Sequence, residues 1–265
     1  MIDGFPAFAP SLAREGSGYD PGVFESLAEL EAENFWFTGR NALITWAIRR
    51  HLESPRSIFE IGCGTGFVLR ALAETFPQAD LTGGEIFIDG LKVARSRVSR
   101  AELIQLDARD IPFVGSFDVV GAFDVLEHIK EDTVVLEQIH QALVPGGLIV
   151  IAVPQHPWLW SPADEHAHHV RRYTAVELRA KLEETGFEVM TSTSYMTLLL
   201  PLQLWSRRRQ GRRTKAHDPL AELRLPGPVN RLLAVVFSVE RALIRRGLRL
   251  PIGGSRLIVA RRLGP

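Results

Sequence analysis

A chain of 265 residues, 46% of them hydrophobic, carries enough apolar material for one α/β domain with a large buried core. Its apolar runs fall short of the ~18 residues of a membrane-crossing helix, and Met1–Pro10 has neither the basic stretch nor the apolar run expected of a secretory leader. Cys63 is the only cysteine, which excludes an intramolecular disulfide and leads us to expect a reducing, cytoplasmic setting. The balance of 31 Lys/Arg against 31 Asp/Glu hides a division: residues 196–265 contain 15 basic and 3 acidic residues, residues 1–195 contain 16 and 28. That asymmetry points to an anionic partner for the C-terminal part, either a membrane surface or a phosphorylated substrate.

Residues 1–19 are rich in Gly, Pro and Ser and are expected to be weakly ordered. Asp20-Pro21 offers an N-cap and a first-turn proline for an acidic helix to about Asn34, and a second helix is expected over Asn41–Leu52. From Pro55 strands and helices alternate: strand Ser57–Ile61, helix Phe67–Phe76, strand Asp80–Gly84, helix Ile88–Ser99, strand Ala101–Leu106. Phe117–Ala122 is apolar throughout, as suits a strand covered on both faces. Helix Glu131–Leu143, a turn at Pro145-Gly146-Gly147, strand Leu148–Val153, helix Thr174–Thr185 and strand Phe187–Tyr195 follow. The last strand signal, Ser255–Ala260, comes some 60 residues later. Such alternation implies a doubly wound α/β sheet with right-handed crossovers. The expected parts of this single domain are a helical cap over 20–52, a core over 55–195 and 255–263, and a basic helical insertion over 196–254.

Glu60-Ile61-Gly62-Cys63-Gly64-Thr65-Gly66 follows the first strand and opens a helix. Glycines there let the backbone turn tightly and approach a ligand without a Cβ in the way. The dinucleotide fingerprint Gly-x-Gly-x-x-Gly needs a third glycine where this chain has Phe67. Glu60, just before the loop, suits a cationic amino-acid moiety better than a pyrophosphate. Glu85 ends the second strand, placed to accept from both hydroxyls of a ribose, and Asp107 ends the third, placed to accept from an adenine amino group. The alternative for both acids is a solvated or helix-capping carboxylate.

With Leu81-Thr82-Gly83-Gly84-Glu85, Gln105-Leu106-Asp107-Ala108, Phe117-Asp118-Val119-Val120, Asp124-Val125-Leu126-Glu127-His128 and Leu143-Val144-Pro145-Gly146-Gly147, the loop resembles the class I S-adenosylmethionine-dependent methyltransferases over residues 55–195. The resemblance implies a seven-stranded sheet in the order 3-2-1-4-5-7-6 with strand seven antiparallel, supplied by Ser255–Ala260. It implies S-adenosylmethionine as cofactor and S-adenosylhomocysteine as product. Glu60 and Gly62 would lie near the methionine moiety, Glu85 on the ribose, Asp107 and Ala108 at the adenine, and Phe123 on the methyl-transfer face. Cys63, Gly64, Gly66 and Ile86 complete the expected cofactor-binding set. Gly84 replaces the apolar residue usual in the family and is expected to loosen the adenine side.

Methyl transfer from a sulfonium is an in-line displacement, in which positioning and desolvation supply most of the protein's contribution. His128 is the candidate general base, with a pocket-wall histidine as the alternative. Asp124, Glu127, His128 and one of His166, His168 and His169 can form a mixed oxygen/nitrogen site for a divalent metal; a hydrogen-bonded pocket rim is preferred, and no metal ligand is assigned. Asn34-Phe35-Trp36-Phe37 and Arg40 either close over the cofactor, with aromatic rings toward the sulfonium, or simply dock the helix on the sheet. His51, His140 and His156 are read as structural or surface residues.

In the insertion, Thr197–Trp205 is apolar and runs into Arg207-Arg208-Arg209 and Arg212-Arg213. Pro228 starts a helix through about Arg246, with Leu232, Val236, Val239 and Leu243 along one side and Leu233, Phe237 and Ile244 widening it. Arg231, Arg241, Arg245 and Arg246 add positive charge, a pattern that suits a helix lying in a membrane interface. The alternative is that these stretches cap the pocket. The expected acceptor is therefore a small molecule or a lipid-linked one, with the enzyme cytoplasmic and peripheral on the inner membrane face. Nucleic acid is disfavoured because the basic segment lacks interleaved stacking aromatics beyond Trp205. The competing functions are a nonenzymatic binding module and a nicotinamide-dependent oxidoreductase.

Overall fold

The computed structural model describes residues 1–14, 23–210 and 223–264, with backbone alone for 207–210. Strands β1 (Ser57–Ile61), β2 (Asp80–Glu85), β3 (Glu102–Gln105), β4 (Phe117–Phe123), β5 (Leu143–Pro154), β6 (Phe187–Tyr195) and β7 (Ser255–Arg262) form one sheet in the order β3-β2-β1-β4-β5-β7-β6. β1 pairs in parallel with β2 and β4, with Ile58 opposite both Leu81 and Val119. β7 runs antiparallel between β5 and β6.

Side chains alternate along the central strands between two cores, as the two-residue repeat of a strand requires. Ile58, Val119, Val150 and Leu257 face helices α2 (Phe35–His51), α3 (Phe67–Thr75), α4 (Ile88–Arg97) and α9 (Gly227–Arg245). Phe59, Val120, Ile151 and Ile258 face α5 (Asp132–Ala142) and α7 (Ala175–Glu184). Both faces are covered, which is why these strands read as unbroken apolar runs. The remaining helices are α1 (Val23–Glu31), α6 (Pro162–His166) and α8 (Leu200–Gln210). Strand order reverses at β1, which opens a crevice at the carboxyl ends of β1 and β4.

Three expectations are corrected. Residues 1–14 are not weakly ordered: Phe5 is buried, Phe8 N–H donates to the Gln105 carbonyl (2.8 Å) and Gln105 N–H to the Pro6 carbonyl (2.8 Å). The segment thus covers the free edge of β3, a backbone demand that composition does not reveal. The described part of α1 starts at Val23, and the expected cap and first-turn proline, Asp20-Pro21, lie outside the described residues. α2 begins at Phe35, one turn and more before the expected start, because the Asn34 side chain accepts from Trp36 N–H (2.9 Å) and caps it. Pro145-Gly146-Gly147 does not separate helix from strand; it lies within β5, where pairing with β4 is irregular.

The insertion helix also differs from its expected single apolar side. Leu233, Phe237 and Ile244 are buried in the core shared with α2, whereas Leu232, Val235 and Val239 are exposed on the other side. α2 and α9 approach so closely at Gly39 that a Cβ there would lie 2.3 Å from the Phe237 ring. Arg212-Arg213 and the side chains of Arg207–Arg209 lie outside the described residues. No described helix is long and apolar enough to cross a membrane.

Candidate active site

The crevice holds a cavity of about 1610 Å³, lined at one end by the loop after β1 and at the other by Trp160 and His166–Val170. An ordinary small-molecule pocket has a volume of ~300–1,000 Å³, so there is room for two ligands side by side.

In the loop, Gly62 and Gly66 have φ of +66° and +74°, and neither has space for a side chain. A Cβ on Gly62 would stand 2.4 Å from Val125 Cγ2, and one on Gly66 would stand 2.9 Å from the Ala94 backbone in α4. The loop is pinned by Glu85 at the end of β2. Its Oε2 accepts from Gly64 N–H (2.9 Å) and its Oε1 from Ile86 and Phe87 N–H (2.8 and 3.1 Å). Burial pushes the Glu85 carboxyl pKa up, against these three backbone donors.

Glu60 at the end of β1 is buried, and its Oε2 has no hydrogen-bond partner. Burial raises its pKa well above the usual carboxylate range, Arg40 opposes the shift, and Glu31 and Glu85 add to it. An orphaned acid facing the cavity fits the cationic amino group of a methionine moiety, so the residues present suit the expected cofactor. Cys63, Ala108 and Phe123 are buried and line the same wall, with Ile86 beside them.

Asp107 also lines the cavity, but Arg109 already holds both of its oxygens at 2.7–3.0 Å. Burial raises the Asp107 pKa, yet the Arg109 contacts outweigh it and the net shift is downward. Gly84 leaves no gap: a Cβ there would meet Leu106 and Phe59 at 2.9 Å, so these side chains already fill the space expected to loosen the adenine side.

The cap elements reach the site through contacts that the sequence did not announce. Glu31 of α1 accepts from the Thr65 hydroxyl (2.8 Å) and from Arg97 of α4, which also donates to the Ala28 carbonyl (2.7 Å). Phe24 of α1 comes within 3.8 Å of where a Gly64 Cβ would be. Arg40 of α2 is paired with Asp124 and lies 4.6 Å from the Trp36 ring centroid. Trp36 thus engages a cation of the protein itself while also lining the cavity. Glu31 and Arg97 left no sequence signal beyond the acidity of the first helix.

At the far end, His128 and His169 meet edge to face with centroids 4.8 Å apart. Burial lowers the His128 pKa to about 4, with His169 and His168 adding to the shift and the backbone of His168 and Ala167 opposing it. His169 Nδ1 sits 2.9 Å from Asp164 Oδ1, and Asp164 is held in turn by Arg172 (2.7 Å) and the Ser161 hydroxyl (3.0 Å). Neither oxygen of the fully buried Glu127 has a hydrogen-bond partner, and burial together with the Asp124 charge raises its pKa well above the ordinary value. Donor atoms of Glu127, His128 and His169 lie within 4.8 Å of one another, the one such cluster among the described residues. Of the residues considered for a metal, Asp124 is diverted to Arg40, and His166 turns its Nδ1 to the Pro162 carbonyl (3.0 Å).

A family model described as a methyltransferase domain matches residues 31–192. A Mycolicibacterium smegmatis protein named "Probable S-adenosylmethionine-dependent methyltransferase" is 27% identical over 193 residues, which cover 71% of this chain and 70% of that protein. The malonyl-[acyl-carrier protein] O-methyltransferase of Halalkalibacterium halodurans is 32% identical over 38% of this chain and 40% of the relative. The trans-aconitate 2-methyltransferase of an Azoarcus species is 26% identical over 58% and 61%. The chain thus spans less than two thirds of these last two relatives. Two solved structures share the fold. One is a complex between the Haloferax volcanii Trm112 methyltransferase activator and a methyltransferase (TM-score 0.60, 19% identity, 92% of this chain and 95% of that one). The other is the Haemonchus contortus phosphoethanolamine N-methyltransferase 2 with S-adenosyl-L-methionine (TM-score 0.56, 20% identity, 85% and 52%). The sheet order, the glycine loop and the family match agree: this chain belongs to the methyltransferase-domain family, as a class I enzyme that uses S-adenosylmethionine.

Proposed function

We propose that this methyltransferase acts on a small-molecule acceptor, held between the cofactor loop and the wall formed by Trp160, His128 and His169. The observation that carries this reading is the continuity of the cavity. One space of about 1610 Å³ runs from Gly62–Gly66 to His166–Val170, so a second ligand can lie against the first. The bound cofactor supplies an electrophilic methyl group and a neutral thioether leaving group. Glu60 and Gly62 hold its methionine end, Glu85 the ribose, and Asp107 and Ala108 the adenine.

His128 receives the acceptor's proton when the acceptor carries one. Its depressed pKa, about 4, keeps the ring neutral and able to accept at neutral pH. The malonyl-[acyl-carrier protein] relative is named an O-methyltransferase and another relative is named for trans-aconitate, which favours an acidic small-molecule acceptor methylated on oxygen here. A lipid-like body on that acceptor is compatible with the apolar residues at the cavity mouth, among them Leu223 and Trp160.

The test is transfer of labelled methyl from S-adenosylmethionine into fractionated small acids, lipid extract and protein. Label in the small-acid or lipid fraction, or released from the protein fraction by cleavage of thioesters, supports the proposal, and label that stays on protein after that cleavage contradicts it.

A further inference from the structure

Half of the large apolar side chains exposed among the described residues fall between Leu198 and Ile252. On α9, Leu232, Val235 and Val239 are 64%, 59% and 50% exposed, spaced i, i+3, i+7 along one stripe. The opposite face of the same helix, Leu233, Phe237 and Ile244, is buried, so the stripe is not needed to dock α9 on the protein. Leu198, just before α8, Leu202 in its first turn, and Ile252 are exposed as well. They are held next to α9 because Leu198 N–H donates to Glu240 Oε2 (2.8 Å) and the Thr197 hydroxyl donates to the Ile252 carbonyl. Scattered exposed leucines need no explanation, but a contiguous patch does.

Charge decides what covers the patch. Residues 223–254 contain six arginines and one acid, Glu240, and that acid is buried with an oxygen on Leu198 N–H. Arg231, next to Leu232 on α9, and Arg246 and Arg249, just past its end, are exposed. A second copy of the chain would bring arginine against arginine. An apolar stripe on a helix ~28 Å long, at 1.5 Å per residue, with exposed arginines and no exposed acid among residues 223–254, matches an anionic bilayer surface.

We propose that the α8–α9 face docks on anionic membrane, with α9 lying in the interface plane. The amino end of α9 is tied to the cavity rim, because Asn230 donates to the Glu33 carbonyl (2.7 Å) and the Leu223 carbonyl accepts from Asn34 (2.8 Å). Docking would therefore place the mouth of the active site beside the lipid headgroups. The proposal does not depend on which acceptor is methylated.

The experiment is co-sedimentation of the full chain with vesicles of phosphatidylcholine alone and of phosphatidylcholine with phosphatidylglycerol. Binding is expected only with phosphatidylglycerol, weakening as salt rises. Arg231→Gln/Arg246→Gln/Arg249→Gln should lose affinity on the order of 100-fold, roughly fivefold per arginine. Leu232→Glu/Val235→Glu should abolish sedimentation. Both variants should keep their affinity for S-adenosylhomocysteine, which shows that they fold; if the glutamate variant does not, the arginine variant still decides. No binding to either vesicle, equal binding to both, concentration-dependent dimerisation lost in the glutamate variant, or salt-sensitive binding to RNA without vesicle binding would each overturn the proposal.

Discussion

At the scale of single residues, the proposal divides the site into groups assigned to the cofactor and groups assigned to the acceptor, and the two should respond differently to mutation. Glu85 both faces the cavity and accepts from Gly64 N–H, so Glu85→Ala removes a ligand contact and loosens the loop at once. His128 touches neither the loop nor Glu85, and His128→Asn should lower turnover roughly 100-fold while leaving cofactor affinity in place. The pH profile gives a second check. If His128 accepts the proton, kcat/KM should fall as pH drops through about 4, where its ring becomes protonated, rather than near the ordinary 6.5. A limb near 6.5 that survives His128→Asn would assign the proton to another group. Glu60, Glu85 and Asp107 were legible in the sequence because a strand end fixes where a side chain can point. The Arg109 clamp on Asp107, and the orphaned Glu127 behind His128, depend on side-chain directions that no spacing encodes.

At the scale of elements, α1 and α9 are each attached at a point the sequence left silent. α1 is latched to the cofactor loop through Glu31, Thr65 and Arg97, with both charged partners largely buried. Removing one partner of such a pair typically costs roughly 3–5 kcal/mol because the other stays buried and unpaired. Arg97→Ala should therefore release α1, seen as faster proteolysis near residue 23 that S-adenosylhomocysteine no longer suppresses. Unchanged cleavage would mean that α1 is held by Phe24 alone. α9 crosses α2 at Gly39, where even a methyl group meets the Phe237 ring. Gly39→Ala should lower thermal stability by about 1–3 kcal/mol through overpacking, and Phe237→Leu in the same chain should restore part of the loss. An unchanged melting temperature in Gly39→Ala would show that the two helices can separate freely. Periodicity located α9 and its end at Gly247, but it could not separate the buried from the exposed part of a helix that is apolar on both sides.

At the scale of the whole molecule, burial depresses the pKa of His51, His128, His140 and His156. A folded-state pKa below the unfolded value of 6.5 means that their contribution is complete above 6.5 and is lost as pH falls below it, down to about 4 for His128. Melting temperature should thus begin to decline below about 6.5, where carboxylates of ordinary or lowered pKa are still ionised and the raised carboxyls of Glu60, Glu85 and Glu127 oppose the decline by taking up protons in the folded chain. For Asp132, burial raises the pKa, but the bonds from Lys181 and Tyr173 outweigh it, so this acid protonates later still. A melting temperature flat from 6.5 to 4 would contradict that order. The doubly wound sheet was legible because β1, β4 and β5 are apolar runs between turn signals, and the late Ser255 strand supplied the antiparallel β7. The edge cover by residues 1–14 was not, since it rests on backbone pairing with Gln105. The central claim is that Gly62–Gly66, Glu60 and Glu85 hold S-adenosylmethionine, and calorimetric titration of that cofactor into the unchanged chain and into Glu85→Ala tests it most directly. The expected result is binding by the unchanged chain and a loss of about tenfold or more in Glu85→Ala, since each hydrogen bond to a buried charged group is worth ~1.5–3 kcal/mol; equal affinity in both proteins would contradict it.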